Sequence, residues 1–247
     1  MCNELFFKIT MSTNRNDPFG KACLSYLNGN KNLEIEVLCN ITDSDVIPVD
    51  YLFRIFSEMP EVEQKALLQC KGKALVIGAG AGCHSLWLQE KGFEVDSIDT
   101  SVGAIETMKQ FGIKNVKKQD FYLFKSSKKY DTIISLMNGV GIAGDLKGLP
   151  LFLEKCKSLL KENGQLLIDS TDINYLIEGE EISYAPSENY IGELEYKMIF
   201  ENEETDWFKW LYIDEEKLIE IANLVDLKTE IITNGGDYNY LAKLTKR

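Results

Sequence analysis

The sequence predicts an α/β protein built on a mostly parallel sheet flanked by helices, and three observations lead there. In Lys73-Ala-Leu-Val-Ile-Gly-Ala-Gly-Ala-Gly82, four apolar residues stand directly before the alternating glycines Gly78, Gly80 and Gly82. That is a short strand buried on both faces, running into a turn and then a helical pattern. Apolar strand patterns then alternate with helical ones as far as Ser170, the order that gives parallel strands with crossover helices. Finally, the next strand, Phe93 to Asp99, ends in an acid. It lies roughly 20 residues past the first glycine, where α/β nucleotide sites hold a ribose hydroxyl pair.

The elements follow in order. Residues 1–70 do not read as a linker. Asp17-Pro18 starts a helix that stops at Asn28-Gly29, and Leu33, Ile35 and Val37 alternate with Glu34 and Glu36 as in a half-buried strand. Pro48 and Asp50 introduce a second helix over Tyr51–Phe56, and Pro60 ends it and opens a third, Glu61 to Gln69. Beyond the glycines, Cys83 to Lys91 is a helix stopped at Gly92, and Ser101 caps another from Val102 to Phe111. Lys117 to Phe121 ends a third strand. Tyr130 to Met137 is a fourth, leading into Asn138-Gly-Val-Gly141.

Leu149, Phe152, Leu153, Cys156, Leu159 and Leu160 have helical spacing, with a stop at Asn163-Gly164, and Gln165–Ser170 is a fifth strand. Residues 171–206 hold eleven acids against one base, Lys197. Within them Leu194, Tyr196, Met198 and Phe200 alternate with charged residues, and Phe208, Trp210 and Tyr212 alternate again after Asn202-Glu-Glu. That pattern is an antiparallel hairpin with one buried face. Asp214-Glu-Glu caps a last helix with the stripe Leu218, Ile219, Ala222 and Val225, and strands over Thr229–Thr233 and Tyr238–Leu244 close the sheet.

Composition bounds the function. A chain of 247 residues, 45% hydrophobic, can bury a sizeable core, and it has no apolar run of membrane-spanning length or export signal, so a cytoplasmic protein is expected. The net charge of −12 opposes a nucleic-acid partner, and Lys114–Lys118 and Lys125–Lys129 read as solvated edges. Six scattered cysteines without a C-x-x-C, beside a single histidine, argue for reduced thiols and against a metal.

The spacing G-x-G-x-G at Gly78–Gly82, with Asp99, resembles motif I of the class I S-adenosylmethionine-dependent methyltransferases. The dinucleotide fingerprint would place its third glycine at Cys83. The resemblance implies a Rossmann-like methyltransferase fold: a seven-stranded, mostly parallel sheet in residues 71–247, an N-terminal cap over 1–70, and an acidic hairpin insertion over 171–213. It also implies S-adenosylmethionine as cofactor. Gly78, Ala79, Gly80 and Gly82 would meet the cofactor's methionine end and Asp99 with Thr100 the ribose. Asp120 would accept from the adenine amino group, beside the Phe121 N–H, although Asp120 reads equally as the cap of the following turn. Met137 and Asn138, at the family's motif IV, would face the reacting centre, with Asn138 positioning the nucleophile. One position departs from the pattern: where the family carries an acid, two residues before the first glycine, this chain has Val76.

Candidates for the substrate pocket are Tyr51, Arg54 and Phe19 from the cap, His84 in the first turn after the glycines, and Asp172, Tyr184 and Tyr190. Each also has a plain structural reading, as a core aromatic, a surface cation, a hydrogen-bonded histidine or a helix cap. The sequence therefore points to methyl transfer onto a small molecule. An amine suits it, because an acidic surface and tyrosines attract cations, though acidic runs are usually solvated. A nicotinamide-dependent oxidoreductase is the alternative enzyme. A non-catalytic nucleoside-binding protein is the alternative outside enzymes. Oligomeric state is open.

Overall fold

The computed structural model describes residues 16–178, 190–236 and 238–247. In chain order its elements are α1 (Pro18–Leu27), β1 (Glu34–Cys39), β2 (Asp45–Pro48), α2 (Glu61–Gln69), β3 (Ala74–Ile77), α3 (Cys83–Glu90), β4 (Val95–Asp99), α4 (Val102–Gln110), β5 (Val116–Lys118) and β6 (Tyr130–Ser135). They continue with α5 (Leu149–Leu159), β7 (Leu160–Thr171), α6 (Tyr175–Glu178), β8 (Glu193–Phe200), β9 (Glu203–Glu204), β10 (Phe208–Leu211), α7 (Glu215–Leu224), β11 (Leu227–Asn234) and β12 (Asn239–Lys246).

The main sheet has seven strands in the order β11-β12-β7-β6-β3-β4-β5. Strands β7, β6, β3, β4 and β5 are parallel, and β12 runs antiparallel to both its neighbours. Side chains alternate between its faces. On one face Leu75, Ile133, Leu166 and Ile168 meet Phe152 and Cys156 of α5 and Leu218 and Ala222 of α7. On the other, Ala74, Val76, Ile134 and Leu167 meet α2, α3 and α4 through Val62, Ala66, Leu88, Ile105 and Met108. A fully buried side chain such as Phe152 contributes about 1.5–3 kcal/mol. This double cover explains why the central strands are apolar throughout.

A second, antiparallel sheet has the order β10-β8-β1-β2, with β9 on β8. The expected hairpin is present, but β1 lies beside it, with Glu36 opposite Ile199 and Val37 opposite Met198. N-terminal segment and acidic hairpin thus form one layer. Its underside packs on α1, where Ala22, Cys23, Ile35, Val49, Leu52 and Phe200 cluster with Ala81 of the glycine turn.

Three local expectations are corrected, and one strand was not foreseen. Instead of a helix over 51–56 there are two 3-10 turns, Val49–Phe53 and Phe56–Glu58, because Arg54 and Ile55 between them are extended. Strand β2 has no alternating pattern and lies at a sheet edge, so its sequence does not announce it. Asn163-Gly164 does not end α5. The helix stops at Leu159, and residues 161–164 bulge from β7 between the pairs Leu160–Tyr130 and Gln165–Thr132. In α7 the buried stripe is Leu218, Ile221 and Ala222, while Ile219 is exposed.

Candidate active site

The site begins where β3 ends. Gly78, Gly80 and Gly82 all have left-handed backbones, with φ of 62°, 55° and 95°, a region that costs a residue with a Cβ about 1–2 kcal/mol. Space decides as well at Gly82, where a Cβ would lie 2.6 Å from Met108 and Ile113; a Cβ on Gly80 would rest in ordinary contact with the Phe19 ring, 3.4 Å away. The turn is therefore a backbone cradle roofed by α1, opening α3 at its N-terminal end, where N–H groups favour an anion or polar ligand. Ala79 within it is buried.

Because β4 and β5 are parallel neighbours of β3, their carboxyl ends reach the same rim. Asp99, last in β4, accepts from the Gly80 N–H at 2.8 Å through one oxygen and from the Ser101 N–H at 2.8 Å through the other. Burial raises its pKa above the usual carboxylate range, against the pull of those donors. Thr100 beside it is exposed. Asp120, beyond β5, accepts from the Tyr122 and Leu123 N–H groups at 2.8 and 3.2 Å, both through Oδ1. The capping reading holds for that oxygen, and Oδ2 keeps its acceptor capacity. The Phe121 ring belongs to the core, 5.3 Å from the ring of Phe152.

At the end of β6 the chain takes two consecutive left-handed steps, Met137 with φ 67° and Asn138 with φ 54°. Neither is glycine, so the turn is held from outside. Asp169 of β7 does this, accepting from Met137 N–H at 3.1 Å and Gly139 N–H at 3.0 Å. Ser135 donates to the Gly139 carbonyl, and Thr171 donates to Asn138 Oδ1 at 3.0 Å. Asp172 next to it takes both the N–H and the amide of Asn174. Tyr190 is spent on Asp214, donating at 2.5 Å and accepting the Asp214 N–H. Tyr184 lies outside the described residues.

Two of the N-terminal candidates, Arg54 and Tyr51, meet His84 in one cluster around Glu63. Arg54 donates to both oxygens of Glu63 at 2.5–2.6 Å and lies over the Tyr51 ring, 4.1 Å from its centroid. His84 Nε2 is 2.5 Å from the same Glu63. Side chains of Arg54 and Glu63 are only 3% exposed. Burial favours neutral His84, but Cys83 and Glu63 outweigh it and hold its pKa at about 10. Glu63 lies below the usual range: burial alone would raise it, and the two cations more than reverse that. The chain's one histidine is thus held within this cluster with its pKa raised, and Tyr51 is partly exposed above it.

An S-adenosylmethionine-dependent methyltransferase from Bacteroides fragilis, solved in complex with S-adenosyl-L-homocysteine, is 40% identical, with a TM-score of 0.87 over 94% of this chain and 95% of that one. The chain belongs to the S-adenosylmethionine-dependent methyltransferases. Residues 50–171 of the methyltransferase also match the family described as tellurite resistance protein TehB. Two further structures share its fold: a protein of Pyrococcus horikoshii OT3 (20% identity, TM-score 0.58, 76% of this chain and 89% of that one) and the CcbJ methyltransferase of Streptomyces caelestis (13%, 0.57, 76% and 90%). No match is found among curated proteins. The family membership sets the nicotinamide reading aside.

Two buried acids of the candidate site are absent from the residues that the sequence singles out. Glu63 shares a helix face with Ala66 and Leu67, and a charge inside an apolar stripe is the signal that marks it. Asp169, an acid following Leu166, Leu167 and Ile168 in a buried strand, carries the same signal. Among the described residues no group of His, Cys, Asp and Glu is placed to hold a metal, and no helix is long and apolar enough to cross a membrane.

Proposed function

We propose that the chain transfers the methyl group of S-adenosylmethionine to a small-molecule nucleophile, with an amine as the acceptor class that suits it best. The observation that carries this is the 40% identity, over nearly the whole chain, to a methyltransferase bound to S-adenosylhomocysteine. The residues fit the cofactor. Gly78, Ala79, Gly80 and Gly82 would line its methionine end along a cradle that a Cβ would narrow. Asp99 accepts backbone donors at both oxygens, and the acceptor capacity that remains would take the ribose hydroxyls beside Thr100. Asp120 Oδ2 would take the adenine amino group next to Phe121. The apolar Val76, 2% exposed, contributes no charge to the cradle. The catalytic unit would span residues 71–247 with 171–213 as its insertion, and residues 1–70 would cap it.

S-adenosylmethionine supplies a methyl group already activated by its sulfonium, so the protein's work is to align the nucleophile and exclude water. Asn138 would orient the acceptor at the end of β6, with Met137 beside it. With the lone histidine bound to Glu63, no imidazole base is free to deprotonate an alcohol, which supports an acceptor that is nucleophilic by itself. The acidic surface adds less to the amine reading. Glu201 and Glu203 pair with Lys21, Glu204 pairs with Lys197, and Glu193 accepts from the Leu146 N–H.

Calorimetric titration with S-adenosylhomocysteine, beside NAD and the Asp99→Ala variant, tests the cofactor. Mass-spectrometric screening of amines, thiols and alcohols then tests the acceptor. Micromolar binding lost in the variant, with methylated amines as products, is the expected result. Binding without turnover on any acceptor would favour a non-catalytic nucleoside-binding role.

A further inference from the structure

We infer that Asp169 is a positioning residue for methyl transfer: its buried carboxylate fixes the Met137–Asn138 turn, and through the turn the Asn138 side chain, on the rim where the acceptor would react. The inference rests on the reading of Asn138 proposed above.

The geometry is that of a carboxylate set in a concavity of backbone donors. One oxygen of Asp169 accepts the N–H before the two left-handed residues end, at Met137, and the other accepts the N–H just after them, at Gly139. A single side chain therefore brackets the whole excursion. Thr171, two residues further along β7, then holds the Asn138 amide from the same strand. The strand carries both grips in fixed register with β6, where Ile134 pairs with Leu167 and Ser135 with Ile168. A shift of Asp169 would move the turn and the Asn138 amide together.

A plain core residue would not need a charge here. Asp169 is 6% exposed, in a strand whose preceding residues are apolar, and placing a carboxylate there is costly unless its hydrogen bonds are required. Burial brings its pKa to about 6, despite the turn's N–H donors. The groups that face it are Glu63 from α2, His84 from α3, Tyr212 after β10 and Tyr51 from the cap. Ionised, the carboxyl accepts at both oxygens. Protonated, as pH falls through about 6, it has one acceptor fewer and the turn loosens.

The Asp169→Asn variant keeps the shape but turns an NH2 group toward one of the two donors. It should bind S-adenosylhomocysteine within about threefold of wild type while kcat falls at least tenfold, and the wild-type decline in kcat below pH 6 should vanish with it. Thr171→Val, which leaves the carboxylate in place, should lower kcat in the same direction and serves if Asp169→Asn does not fold. Independently of any acceptor, NMR of the wild-type complex with S-adenosylhomocysteine should show the Met137 and Gly139 amides and the Asn138 side-chain amide moving with one midpoint near pH 6. Wild-type kcat in both variants, or an Asn138 side chain that does not respond while its neighbours titrate, would overturn the inference. Wild-type protein that fails to bind S-adenosylhomocysteine would instead overturn the proposed function.

Discussion

Asp99 accepts the Gly80 N–H at 2.8 Å, so the acid at the end of β4 is aimed by the glycine turn at the end of β3. Its other oxygen is fixed by Ser101, whose hydroxyl donates to Asp17 Oδ2, the N-cap of α1. Helix α1, glycine turn and acid are thereby set in one hydrogen-bonded line.

Asp99→Ala should weaken S-adenosylhomocysteine binding about a hundredfold or more, since hydrogen bonds to a charged group contribute about 1.5–3 kcal/mol each. Isothermal titration reads it directly. Binding within tenfold of wild type would remove Asp99 from the ribose site.

Asp120→Asn separates the two roles of that acid. Asn caps as well as Asp, so stability should change by less than about 0.5 kcal/mol. The new NH2 group, however, would face the adenine amino group, donor against donor, and affinity should fall about tenfold, or about 1.4 kcal/mol. Unchanged affinity would leave Asp120 as a cap alone.

Glu63→Gln leaves Arg54 and His84 as buried cations without their counter-ion, and should destabilise the fold by about 3–5 kcal/mol in chemical denaturation. The pH dependence has a definite sign. A histidine held at about 10 in the folded state, against about 6.5 unfolded, binds more protons when folded throughout that window. Its contribution is complete below pH 6.5 and is lost as pH rises through about 10. Wild-type stability should decline across that alkaline range, and the decline should flatten in Glu63→Gln.

Gly103→Ala tests the crossing of α1 and α4. Its Cβ would sit 2.4 Å from the backbone of Gly20, so the helices must separate, at a cost of about 1–3 kcal/mol. Since α1 also carries Phe19 over Gly80, S-adenosylhomocysteine binding should weaken in parallel. A thermal midpoint and affinity equal to wild type would show that the cap is not seated through this contact.

What was legible in the sequence was what is local. Ala74–Ile77 reads as a buried strand because both its faces are covered, and α2 from Glu61 to Gln69 is bounded by Pro60 and its own stripe. The corrected positions depend on distant partners. Asn163-Gly164 is a good helix stop by composition, yet Leu160 already pairs with Tyr130 and turns those residues into a bulge. The glycine turn and Asp99 stand in register because the parallel sheet spaces them regularly. Glu63 joins Arg54 to His84 only because α2 packs against the start of α3, which no spacing along the chain records.

The pairing of β1 with β8 also sets a timetable for synthesis. At about 5–20 residues per second, β1 leaves the ribosome roughly ten to thirty seconds before β8 exists to pair with it. Throughout that interval one side of β1 is an open strand edge above the apolar residues Ile35 and Val37, a template for non-native pairing. Nascent chains that end before Glu193 should therefore depend on chaperones, and the N-terminal layer should be the last part of the protein to become resistant to proteolysis.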